Sequence, residues 1–153
     1  MPGRYTAPGT LSATGSGAKT IISILQSGTV RTRPILFGVM LGYNGTPADN
    51  AMLADLVRCD GTTAGTSTAV TPSPMDAGDP ATNLSSGENY SVEPTTIGVT
   101  LSEFPGHQRT TIFVQLAEEN GWVLTGTASH KILLRTLHAS YTGAASGTLY
   151  YRE

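Results

Sequence analysis

The chain has 153 residues, 39% of them hydrophobic and 13% charged, with 18 glycines; this is the length of one domain, enough to bury roughly two-thirds of the unfolded surface. Nine basic and eleven acidic residues leave a formal net charge of -2, and with no basic cluster among them they argue against nucleic acid and against an anionic membrane as partners. Cys59 is the single cysteine, so no internal disulfide can form. No apolar run nears the ~20 residues that cross a bilayer, and the first twenty lack the apolar stretch of a signal peptide, so the chain is expected to act without membrane insertion or export.

Residues 1–19 read MPGRYTAPGTLSATGSGAK, with Tyr5 and Leu11 as the sizeable apolar side chains. Such a segment cannot pack on itself, and ordering it costs on the order of 1 kcal/mol per residue in backbone entropy. It is expected to be an extended N-terminal arm held by another chain or another copy, with Arg4, Tyr5, Leu11 and Lys19 as candidate interface residues. The alternative is an edge strand lying along its own domain, which would occupy residues 20–153.

Strand signals follow in order. Thr20 to Ser27 is β-branched, and Arg33 to Tyr43 alternates strictly, with Ile35, Phe37, Val39, Leu41 and Tyr43 on one face and Leu36, Gly38, Met40 and Gly42 on the other. A strand covered on both sides is expected there, with a close neighbour at the glycines. Thr46 to Asp60 carries a helix-like start and helical spacing at Met52, Leu53, Leu56 and Val57. It runs, however, into the turn cluster Asp60-Gly61-Thr62-Thr63-Ala64-Gly65 that would join strands, so a polar loop over Asn44 to Asn50 and a strand over Leu53 to Cys59 are expected.

Gly61 to Pro94 has few large apolar residues and no sustained period, and is expected to be a long functional or partner-contacting loop. Thr95 to Ser102, Thr110 to Leu116, Trp122 to Thr125, Lys131 to Leu137 and Thr148 to Arg152 supply further strands, separated by turns such as Glu103-Phe104-Pro105-Gly106 and Glu119-Asn120-Gly121. About eight short strands with little helix predict a single-domain all-β sandwich of the jelly-roll type.

No chemistry announces itself. His107, His130 and His138 are too widely spaced for a zinc-type cluster, although His130 and His138 could share a metal across neighbouring strands. Adjacent Glu118 and Glu119 would point to opposite faces of a strand, which does not suit a carboxylate pair. Asp76 and Asp79 lack the alternating ligands of an EF-hand loop, and Cys59 beside Arg58 has no histidine near in sequence. Gly15-Ser16-Gly17 and Gly65-Thr66-Ser67 lack the strand-to-helix setting of a nucleophile elbow or phosphate loop. Sequons at Asn44, Asn83 and Asn89 are chance matches in a chain rich in Ser and Thr. These readings predict no enzyme and no cofactor.

Arg33-Pro34-Ile35 opening a strand that ends Leu41-Gly42-Tyr43, Leu56-Val57-Arg58 leading into Gly61-Thr62-Thr63-Ala64-Gly65-Thr66, Thr71-Pro72-Ser73-Pro74 before Asp79-Pro80-Ala81, and Ser146-Gly147-Thr148-Leu149-Tyr150-Tyr151-Arg152-Glu153 occur in this order. Together they resemble a family of small jelly-roll proteins encoded beside the capsid genes of tailed bacteriophages. Arg58 departs from the pattern in being followed by Cys59-Asp60 before the glycine, and the stretch before Leu53 is less acidic than in the family. The resemblance implies a protein that decorates or cements the exterior of a phage head after synthesis in the host cytoplasm, with the major capsid protein and copies of itself as partners, trimers as its assembly, and no catalytic residues to carry over. Two other classes compete with it: a carbohydrate-binding sandwich of a fibre or spike, stacking sugars on Trp122, Tyr90 or Tyr141, and a cupin-like metal enzyme with inward histidines.

Overall fold

The computed structural model describes residues 3–12, 17–26, 32–44, 46, 49–60, 63–94, 98–127, 129–137 and 143–153. Two six-stranded antiparallel sheets face each other around one core. The front sheet contains β1 (Arg4–Leu11), β3 (Ile35–Asn44), β6 (Ser73–Pro74), β9 (Ile112–Gln115), β10 (Trp122–Val123) and β12 (Ala144–Arg152). The back sheet contains β2 (Lys19–Gln26), β4 (Ala51–Cys59), β5 (Thr66–Val70), β7 (Leu84–Val92), β8 (Val99–His107) and β11 (Lys131–Thr136).

The order is that of a jelly roll. In front, β1, β12 and β3 lie side by side, with β9 and β10 sharing the edge beyond β3; behind, the run is β2, β11, β4, β8. The chain thus crosses between the sheets at most steps from one strand to the next. The stretch between β4 and β8 adds strands at the flanks: β7 and then β5 extend the back sheet beyond β2, and β6 extends the front sheet beyond β1. The expected single long loop over residues 61–94 is therefore corrected. Its strand β7 carries Ser85, Ser86 and Gly87 where apolar residues were sought, and cross-strand bonds hold it, Ser86 Oγ to the Ser23 carbonyl at 2.7 Å and Ser23 Oγ to the Gly87 carbonyl at 3.2 Å.

The separate arm is corrected as well. Arg4–Leu11 is a strand of this domain, paired along its whole length with β12. Tyr5, Ala7 and Leu11 are buried in the core, so these residues cannot be detached from the domain. At the centre of that pairing Gly9 faces Gly147, and both point inward. A Cβ at Gly9 would lie 2.6 Å from Ile22 Cδ1, so the absent side chains let the two sheets approach here.

β3 departs from strict alternation at one place. Gly38 pairs with Tyr150 but Leu36 with Tyr151, which makes Phe37 the extra residue of a β-bulge. Val39 and Leu41 face the core as the alternation predicts, whereas Leu36 replaces Ile35 and Phe37 as the inward residue before the bulge. The Tyr150 ring lies over Gly38, 3.1 Å from where a Cβ would stand. Residues 51–59 form a strand and not a helix. The turn expected at Glu103-Phe104-Pro105-Gly106 is part of β8, because an edge strand tolerates a proline whose missing N–H has no partner to lose.

Candidate interface on the front sheet

The outer faces of the two sheets differ in kind. Behind, Leu133 pairs with Ser23 on one side and Val57 on the other, and Lys131 pairs with Cys59. All five are at most 1% exposed, although they point away from the core. The chain covers this face itself. Lys131 Nζ donates to the Thr63 carbonyl at 3.2 Å, Tyr90 and Ser23 hydroxyls meet at 2.7 Å, and the Glu93 carboxylate accepts from Thr20 N at 3.0 Å and Oγ1 at 2.6 Å. Burial pulls the Lys131 ammonium below its usual range. In the same layer Arg135 and Asp55, cross-strand partners, form a two-pronged buried ion pair with Nε–Oδ1 at 2.9 Å and Nη2–Oδ2 at 2.5 Å.

In front the outward residues form three cross-strand rows. One is Pro8–Thr148–Met40–Phe113, the second Thr6–Tyr150–Gly38–Gln115, and the third Thr10–Ser146–Gly42. None of them carries a charge at neutral pH. Phe113 is 56% and Met40 36% exposed, and Tyr150 joins them, its ring edge-on to Phe113 at 5.9 Å and 6.5 Å from Phe37. Hydroxyl and glycine positions surround these groups, and Pro8, Thr10, Ser146 and Thr148 line a depression of about 370 Å³ beside them.

Charge gathers at one end. Arg4 and Arg152 are cross-strand partners and share Glu118, at 2.7 and 3.7 Å. Beneath them the rings of Tyr5 and Tyr151 stack at 5.4 Å, with the Tyr5 hydroxyl donating to the Pro80 carbonyl at 3.0 Å and that of Tyr151 to Thr82 Oγ1 at 3.0 Å. Glu153 ties the surround together, accepting from Thr32 Oγ1 at 2.7 Å, Thr82 Oγ1 at 2.6 Å and Asn83 N at 3.0 Å.

Burial pushes both phenols up, more strongly at Tyr151; Glu153 and Asp79 add to the effect at Tyr5, and at Tyr151 the Thr82 bond opposes it while Glu153 and Tyr5 add to it. Up to pH ~10 both folded and unfolded phenols are protonated, so stability is unaffected. Above that the unfolded chain loses these protons first and the fold is progressively destabilised. Denaturant melts from pH 8 to 12 are expected to show this loss, with phenolate absorbance rising together with unfolding; Tyr151→Phe is expected to flatten the decline.

The four residues singled out from sequence separate. Tyr5 and Leu11 are core residues, which corrects their reading as interface residues; Arg4 borders the uncharged face; Lys19 begins β2 in the other sheet. Of the aromatics considered for sugar stacking, Tyr90 is 5% exposed, Trp122 packs against the core, and Tyr141 lies outside the described residues. Phe113 was not singled out, since alternation alone does not say which face stays uncovered. His130 Nδ1 is bonded to Thr125 Oγ1 and lies 3.5 Å from Asp60, while His107 stands 3.9 Å from Asp49; His138 lies outside the described residues. Among the described residues no group of three His, Cys, Asp or Glu side chains could hold a metal. A depression of about 530 Å³ is lined by Tyr43, Gln108, Arg109, Thr110 and Thr111, which include no carboxylate, imidazole or thiol. Comparison with protein-family models, with curated proteins and with solved structures returned no match.

Proposed function

We propose that the chain is a virion structural protein that decorates and stabilises the exterior of a tailed-phage head, docking the outer face of its front sheet on the major capsid protein and assembling with copies of itself. The observation that carries this reading is the asymmetry of the two outer faces: one is covered by the chain's own segments, while the other, among the described residues, is uncovered, its three rows uncharged and set with Met40, Phe113 and Tyr150. A neutral face with an apolar centre offers area and shape complementarity, and its three rows have no charge with which to grip a phosphate or an acidic substrate. The family resemblance supplies the kind of partner. For the sugar-binding alternative, Tyr90 is buried and Trp122 is packed on the core, so neither offers an open stacking platform; the exposed ring on this face is that of Phe113.

The test mixes purified protein with undecorated heads of the phage that encodes it, followed by sedimentation. Saturable binding at a fixed copy number is expected. Met40→Glu and Phe113→Glu change exposed side chains and are expected to leave the melting temperature unchanged while weakening head binding about tenfold or more, because each buries an unpaired carboxylate in the contact. Wild-type binding by both variants would remove this face from the contact. Absence of head binding together with selective capture on a glycan panel would favour the sugar-binding reading.

A further inference from the structure

A sheet edge is a row of backbone donors and acceptors, and this domain guards its edges unequally. Along the front edge at β1, the Arg4 N–H goes to Asp79 Oδ2 at 3.2 Å, Thr6 is paired with Ser73 of β6, Pro8 has no N–H, the Thr10 N–H goes to Glu88 Oε2 at 2.5 Å and the Ser12 N–H to Asn89 Oδ1 at 3.2 Å. Every second residue from 4 to 12 is thus stopped by a side chain, a short strand or a proline. The opposite front edge is broken into the short strands β9 and β10 by the helical turn Glu118–Asn120. The back edge at β8 carries Glu103 and Pro105.

Among the described residues the fourth edge carries no charge, proline or covering strand, and the register shift in its pairing with β7 lies between Thr66 and Thr68, which leaves Thr68–Val70 regular. β5, Thr66–Val70, reads TSTAV; it contains no charge, proline or glycine, pairs with β7 on one side, and has no strand beyond it among the described residues. Four of its five residues are exposed. An edge of this kind is completed by an extended segment that adds to the sheet.

We propose that β5 is a self-association edge, which pairs antiparallel with β5 of a second copy about a two-fold axis at Thr68. A two-fold contact must match a segment to itself. Here Thr66 would face Val70 of the other copy, Ser67 would face Ala69, and Thr68 would face its equivalent. All five are small or β-branched and uncharged, so the pairing meets no like-charge repulsion and places hydroxyls opposite one another at the axis, a favourable cross-strand pair. The two back sheets would become one continuous sheet. This inference does not rest on the head-binding reading and uses a different surface.

Sedimentation equilibrium of the full chain over a wide concentration range is expected to show reversible dimers. Thr68→Lys sets two like charges against each other at the axis and is expected to weaken dimerisation about tenfold or more with an unchanged melting temperature, whereas Glu119→Lys, an exposed change elsewhere, is expected to have no effect. Amide exchange over residues 66–70 is expected to slow as concentration rises. A wild-type chain that stays monomeric, or a dimer that Thr68→Lys leaves intact, overturns the proposal. If the monomer nevertheless loses head binding on Thr68→Lys, the edge accepts a strand of the shell protein and the self-pairing is overturned.

Discussion

Arg135→Ala is expected to cost about 3–5 kcal/mol of stability, read as a fall in the denaturant midpoint, because it leaves the Asp55 carboxylate buried without its partner. The Asp55 side chain is 4% exposed, and its other cross-strand neighbour is Glu103, a second carboxylate that can only add repulsion. Replacing both partners, Asp55→Leu with Arg135→Met, removes the two buried charges together and is expected to recover most of the loss. A double variant no more stable than Arg135→Ala would mean that the layer over the back sheet needs a polar partner here, and that the cost does not come from the stranded charge.

The second large effect concerns Gly9, where the facing sheet leaves no room for a side chain. Gly9→Ala puts a Cβ 2.6 Å from Ile22 Cδ1, 2.8 Å from Ile22 Cβ and 3.1 Å from the Ile21 carbonyl. A branched side chain and a backbone oxygen give little ground, so a loss of about 1–3 kcal/mol is expected, roughly 2–4 °C in Tm for each kcal/mol. Gly147→Ala also meets a backbone oxygen, the Met40 carbonyl at 3.2 Å, but its nearest contact is Leu134 Cδ2 at 2.7 Å, the far end of a more flexible side chain, where Gly9 meets the Ile22 Cβ at 2.8 Å, so it is expected to cost less. Thermal melts of the two variants decide whether the rigidity of the neighbour sets the penalty; equal losses would contradict that account. Gly9→Val exceeds both and is expected to disrupt the fold, since it drives two methyls into the opposite sheet.

The strands with strong apolar patterns were legible from sequence: residues 20–26, 35–43, 131–136 and 148–152 all fall in strands. β1 was hidden by its own packing. Its inward residues are Tyr5, Ala7, Gly9 and Leu11, a true period of two whose middle members are small because the facing sheet comes so near, and small residues read as linker. β7 was hidden because its inward Ser86 is satisfied by a backbone carbonyl instead of by apolar contact. β8 ran through a proline that only its edge position permits. The candidate face was illegible for another reason. Met40 and Leu133 are both outward apolar residues of strands, yet one is 36% and the other 1% exposed, and that difference depends on which distant segment returns over each sheet.

The order of strands also bears on synthesis. β12 is the partner of both β1 and β3, and β11 the partner of both β2 and β4. As the chain leaves the ribosome, the four N-terminal strands emerge with their central partners missing, and neither sheet can close until the last two strands arrive. Pairing that bridges almost the whole chain forms slowly, and until it does the nascent domain presents open edges on both sheets. Translation of residues 131–152 is thus the step that turns a set of exposed strands into a closed sandwich.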